Sequence, residues 1–102
     1  MIIYNTTYTA AAGDAKNFII WVNEAYIPKA IENGMLKKAR LLQILSHKDP
    51  DTECFSLQFE TESVGTLQRW YGENGRALVD EMLKLFGDKV VGFSTIMNDV
   101  TL

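Results

Sequence analysis

The sequence predicts an α+β fold, a four-stranded antiparallel sheet carrying two helices on one face. Three observations lead there. Four stretches have strand length and are rich in β-branched and aromatic residues or alternate apolar with polar ones. Two longer stretches repeat apolar residues at steps of three and four. They follow one another as strand, helix, strand, strand, helix, strand, the split βαβ or ferredoxin-like order, whose two right-handed crossovers put both helices on the same side of the sheet. At 102 residues the chain has the size of one domain, so residues 1–102 are expected to form a single ferredoxin-like unit.

Residues 2–9 read as the first strand, with Ile2, Tyr4, Thr6 and Tyr8 on one face and Ile3, Asn5 and Thr7 on the other. Asp14 stands where it can cap the next helix by accepting backbone N–H bonds. That helix is expected over residues 15–33, with Phe18, Trp21, Val22 and Ala25 as its apolar stripe and Lys16, Asn17, Asn23 and Glu24 opposite. Ile20 and Ile27 fall within the polar side, where together they offer a contact to a partner subunit. Pro28 has no N–H, so the Glu24 carbonyl loses its helical partner and a kink is expected. Asn33-Gly34 is a left-handed stop.

Residues 38–46 form the second strand, and His47-Lys48-Asp49-Pro50-Asp51 is a turn by composition. In the third strand Phe55, Leu57 and Phe59 alternate with Cys54, Ser56, Gln58 and Glu60, so the phenylalanine face belongs against the helices. The other face lines up with Ile3, Leu41 or Leu42, and Ile96, and is mixed. The second helix starts near Glu62 or Ser63 and carries the stripe Val64, Leu67, Tyr71, Leu78, Met82 and Leu85, with Trp70 directed elsewhere, to a rim or an interface. Gly72-Glu73-Asn74-Gly75 interrupts it, and a mid-helix glycine costs about 1 kcal/mol relative to alanine, so a kink or two helical pieces are expected. After Gly87-Asp88, residues 89–100 are the fourth strand, with Val91, Phe93, Thr95 and Met97 alternating against Gly92, Ser94 and Ile96.

Composition narrows the function classes. A net charge of −3, with Lys37, Lys38 and Arg40 as the one basic cluster, gives no electrostatic footprint for nucleic acid or an anionic membrane. No apolar run approaches the roughly 20 residues of a membrane span, and no charged leader precedes the first strand, so a cytoplasmic location is expected. One cysteine, Cys54, forms no internal disulfide, and with one histidine, His47, it leaves too few soft ligands for zinc or an iron–sulfur cluster. No metal or cofactor is expected. The helix-free sheet face would leave isoleucines and leucines wet, whereas pairing with the same face of a second copy buries them, so a homodimer through that face is expected.

The opening Met-Ile-Ile-Tyr-Asn, the helical Trp21-x-x-Glu24-x-x-Ile27-Pro28, the passage Asn33-Gly34-Met35-Leu36 into Ala39-Arg40, and Phe86-Gly87-Asp88-Lys89-Val90-Val91-Gly92-Phe93 resemble a bacterial family of small proteins of unknown function. The resemblance spans nearly the whole chain. Its fold is similar to the dimeric α/β-barrel superfamily, which includes cofactor-independent monooxygenases, haem-degrading enzymes and isomerases; it implies a fold and a dimer and supplies no activity. Two departures stand out. Where related sequences often read Glu-His-Ile-Pro, this one reads Ala25-Tyr26-Ile27-Pro28, and where they often carry arginine after the fourth-strand phenylalanine, it has Ser94.

In such an architecture Tyr4, Trp21, Tyr26, Tyr71 and Phe93 are expected to line a cleft between sheet and helices, with Glu24 and tyrosine hydroxyls as its polar groups. The competing assignment for the aromatic set is core, and for Glu24 a solvated carboxylate. His47 lies in a turn without a visible partner, Cys54 lacks basic neighbours that would activate its thiol, and Arg40 suits an ion pair or a clamp on a carboxylate. Three readings stay open: a homodimer binding a small apolar or aromatic molecule, a cofactor-independent monooxygenase or isomerase acting on a small aromatic substrate, and a non-catalytic structural module.

Overall fold

The computed structural model describes residues 1–100. Strands β1 (Ile2–Ala11), β2 (Lys37–Gln43), β3 (Thr52–Thr61) and β4 (Val90–Asn98) form one antiparallel sheet in the order β2-β3-β1-β4. Two helices, over residues 15–31 and 64–86, cover one face. This is the ferredoxin-like α+β fold that the element order implies.

Directly opposed residues share a face, so the register assigns the two sides. Tyr4 lies opposite Phe59 and Ile96, Tyr8 opposite Phe55 and Gly92, and Leu41 opposite Leu57, all on the helix side. The open side carries Ile3, Asn5 and Thr7, with Leu42 from β2 and Val91, Phe93 and Met97 from β4. One open alternative closes here and one expectation changes. Leu42, not Leu41, belongs to the open side, and Ile96 faces the helices. The cause lies at Gly92: a β-carbon there would meet the Tyr8 ring at 2.7 Å, so the small-residue set of β4 must pack under the tyrosines and the Phe93 set is turned outward.

The first helix runs as Ala15–Trp21, a π-turn at Val22–Tyr26, and Ile27–Ile31. Within the turn the Ile27 N–H reaches the Val22 carbonyl, five residues back. The register slip comes immediately before Pro28, whose missing N–H cannot serve Glu24, so the proline disturbance takes the form of a π-turn. Asp14 occupies the cap position, but its side chain makes no cap bond. Ile20 and Ile27 do not form one partner contact, because Ile20 lines a groove with Leu85 and Phe86 while Ile27 packs toward Ala39 and Leu41. Gly34 supplies the left-handed stop at φ 77°.

The second helix starts at Ser63, whose hydroxyl accepts from Thr66 N–H at 3.1 Å, and runs as Val64–Trp70, a π-turn at Tyr71–Gly75, and Arg76–Phe86. The glycine break is therefore this second π-turn. Trp70 is fully buried, which corrects its placement at a rim. Its indole N–H donates to the Ala30 carbonyl at 2.8 Å, and Asn74 Nδ2 donates to the Lys29 carbonyl at 3.0 Å. Carbonyls in the last turn of a helix have no partner within it, and here the second helix supplies two of them from around its own irregular turn. Gly75 permits this, since a β-carbon would lie 2.5 Å from the Trp70 ring. The reciprocal contact runs the other way: Trp21 Nε1 donates to Glu81 Oε1 at 3.1 Å, and Lys29 Nζ pairs with Glu81 Oε2 at 3.2 Å.

Among the described residues no helix is long and apolar enough to cross a membrane.

Candidate functional site

Between the second helix and the β1–β4 half of the sheet lies a chamber of about 160 Å³, lined by Tyr4, Thr6, Tyr8, Tyr26, Tyr71 and Ser94 together with Gly75, Val79, Met82 and Gly92. An apolar groove of about 320 Å³ adjoins it, lined by Val64, Leu67, Gln68 and Ile96, and shares Tyr4, Tyr71 and Ser94 with it. The two are compartments of one cleft. A void of about 150 Å³ is enough for a benzene ring, so the inner compartment alone has the size of one aromatic unit.

Three of the four lining tyrosines are held by the rest of the core, and Tyr71 is 44% exposed. The Tyr4 ring meets Trp70 edge-on at 5.7 Å between centroids, Tyr8 leans on Phe18 at 5.0 Å, and Tyr26 stacks near Phe59 at 6.3 Å and meets Trp21 edge-on at 5.5 Å. The Tyr4 hydroxyl is joined to two smaller ones: Ser94 Oγ lies 3.3 Å from it and 3.1 Å from Thr6 Oγ1. Burial pushes the Tyr8 hydroxyl up to about 12, with the neighbouring Tyr26 hydroxyl offsetting part of the shift. Tyr26 is raised still further, again first by burial and then by the adjacent tyrosines. Both therefore stay protonated at neutral pH and act as hydrogen-bond donors, not bases. No Asp, Glu, His, Lys, Arg or Cys lines either compartment among the described residues.

Of the six residues expected in the cleft, Tyr4, Tyr26 and Tyr71 meet in it. Phe93 does not: it stands on the opposite face of the sheet and is 64% exposed. Trp21 and Glu24 line a separate groove outside the helices with Ala25 and Phe86, and there the Trp21 N–H is committed to Glu81. Tyr8, Thr6 and Ser94 are the hydroxyl-bearing lining residues outside the expected set. Tyr8 shares the alternation of Tyr4, and Ser94 is one of the two departures from the related pattern. Both departures, Tyr26 and Ser94, line the same chamber, and each presents a hydroxyl-bearing side chain there.

The remaining polar residues lie away from the cleft. His47 Nε2 and Thr52 Oγ1 are 2.7 Å apart, and Thr52 donates to Asp49 at 3.1 Å, which staples the β2–β3 turn. Cys54 is buried on the open side with Thr9 as its neighbour at 3.9 Å. Arg40 lies opposite Gln58, also on the open side. No group of three or more His, Cys, Asp or Glu side chains is placed to hold a metal among the described residues.

Three solved structures share this architecture. A candidate antibiotic biosynthesis monooxygenase from Deinococcus radiodurans matches with a TM-score of 0.72 at 17% identity, covering 100% of this chain and 95% of its own. An ethyl tert-butyl ether D family protein from Bacillus halodurans matches at 0.68 and 13% identity, covering 98% of this chain and 100% of its own. A dimeric ferredoxin-like protein from an uncultured marine organism matches at 0.63 and 15% identity, covering 100% and 99%. At these identities the likeness is one of fold. No curated protein matches the chain by sequence. The family model that matches, over residues 1–100, is a domain of unknown function, DUF4286, and the chain belongs to that family.

Proposed function

We propose that this protein is a small-molecule-binding homodimer whose cleft, between the second helix and β1–β4, takes an apolar or aromatic molecule. The convergence of both π-turns on one chamber carries the reading. Tyr26 ends the first turn, Tyr71 opens the second, Gly75 closes it, and all three line the inner compartment. A π-turn interrupts regular helix bonding and is frequent at functional sites. Apolar walls with a few fixed hydroxyls are the usual make-up of a ligand pocket. Thermal-shift screening with neutral aromatic compounds tests the cleft: binders should raise the melting temperature, and a Val79→Trp variant that fills the chamber should abolish the shift. A library without a single shift would remove the reading.

The open sheet face supports the dimer. It exposes Val91 at 56% and Phe93 at 64%, beside Leu42 and Met97. At that edge β4 has nine residues without a charge or a proline, whereas β2 at the other edge carries Lys37, Lys38 and Arg40 and an irregular register. Charges and bulges blunt an edge strand; β4 has neither and suits a second copy. One of the structures with this fold is itself described as dimeric. Sedimentation equilibrium should give twice the 11.5 kDa chain mass, and Phe93→Asp should shift it toward the monomer.

The fold shared with a monooxygenase supports a second reading, a cofactor-independent monooxygenase or isomerase acting on a small aromatic substrate. The chain's residues would then hold and orient the substrate, because among the described residues no carboxylate, imidazole or thiol lines the cleft to take its proton. Oxygen uptake or isomer formation by a compound that binds separates this reading from simple binding.

A further inference from the structure

We infer that the cleft selects a neutral molecule with a carbonyl or ether oxygen at one end and an apolar body, inserted oxygen first. The inference rests on the cleft being a binding site and specifies what it accepts. The two compartments differ in kind: the inner is ringed by hydroxyls, whereas the outer is walled chiefly by Val64, Leu67 and Ile96, with Gln68 as the one polar residue it does not share. A ligand that matches both has its polar atom inside and its apolar part outside.

The proton count sets the sign of the polar atom. Tyr4, Ser94 and Thr6 form a chain of three hydroxyls with two contacts. Each hydroxyl donates one proton, and each contact uses one, so one O–H remains unspent. Tyr8 and Tyr26 adjoin this chain as a further pair, both kept protonated by burial. The hydroxyls also keep spare lone pairs, which cost little when unfilled, so the unspent O–H is the group that a ligand must satisfy, and an acceptor oxygen does so.

Charge is excluded from both sides. A carboxylate would be stripped of water with no cation in the lining to receive it. An ammonium group could be held by aromatic faces instead, as in cages of tyrosines. Three of the four rings are already engaged, Tyr4 with Trp70, Tyr8 with Phe18 and over Gly92, and Tyr26 with Phe59 and Trp21, which leaves Tyr71 alone instead of a cage, and no carboxylate lines the cleft among the described residues to neutralise a cation.

Calorimetric titration of the full chain with four probes of one shape tests this: 2-acetylnaphthalene, 2-ethylnaphthalene, 2-naphthoate and 2-naphthyl-trimethylammonium. The ketone should bind about tenfold more tightly than the hydrocarbon, the worth of one buried hydrogen bond, and both ions more weakly than either. Tyr8→Phe should bring the ketone down to the affinity of the hydrocarbon while leaving the hydrocarbon unchanged. Ser94→Ala gives the same reading should the first variant not fold. Equal affinity for ketone and hydrocarbon, or tighter binding of an ion, overturns this inference and leaves the binding site standing. Absence of binding by all four at millimolar concentration removes the site as well.

Discussion

Glu81 shows how one carboxylate ties the two helices. The Trp21 N–H and the Lys29 ammonium each bond one of its oxygens, and the Trp21 bond is the first cause holding its carboxyl below the ordinary 4.5. A carboxyl depressed by folding stabilises the fold at pH values above its unfolded pKa, and that contribution is lost as pH falls through the lowered folded value. The melting temperature should thus be level from pH 7 to about 5 and decline below 4.5. Glu81→Gln should flatten part of the decline. The effect is small, since the side chain is one-third exposed and solvent screens it. Trp70 is the stronger single contact, being buried with its N–H on Ala30. Trp70→Phe leaves a buried carbonyl unpaired and should cost about 1–3 kcal/mol in chemical denaturation.

At the scale of elements, both helices break after a tryptophan, and the breaks explain which apolar residues are buried. In the second helix Leu67, Trp70, Gly75, Leu78 and Met82 are buried, and the single step of five between Trp70 and Gly75 marks the π-turn. A straight wheel carried through that step drifts by about one residue's rotation. It therefore admits Leu85, which is 57% exposed, and loses Trp70. Element order, strand periodicity and the site of each helix disturbance were legible in the sequence, because proline and glycine punctuate the backbone locally. The form of the disturbance was not, since it depends on Trp70 and Asn74 reaching across to the first helix. The two glycines of the break separate these roles. Gly72 has open space around its β-position, so Gly72→Ala should stabilise by up to about 1 kcal/mol. Gly75→Ala drives a methyl into the Trp70 ring and should cost about 1–3 kcal/mol, and Trp70→Leu in the same chain should recover part of it.

For the whole molecule, the sheet has one face for the helices and the cleft and another free for a second copy. Alternation divides β4 into two sets but does not say which faces inward; the Tyr8 ring against Gly92 decides that, across strands 84 positions apart, counted from residue 8 to residue 92. Phe93 thereby moves from the expected cleft to the expected interface, and Ser94 moves into the cleft. Half of the cleft was legible because Tyr4, Tyr26 and Tyr71 are large aromatics on recognisable elements. The rest, Thr6, Tyr8 and Ser94, emerges only when β1 and β4 are set side by side. Native mass spectrometry of the protein purified from its own source tests the account most directly, since it reads assembly and occupancy together. The expected result is twice the chain mass carrying a small uncharged molecule whose occupancy falls in Tyr8→Phe. A bare monomer, or a dimer holding the same molecule equally well with and without the Tyr8 hydroxyl, would contradict it.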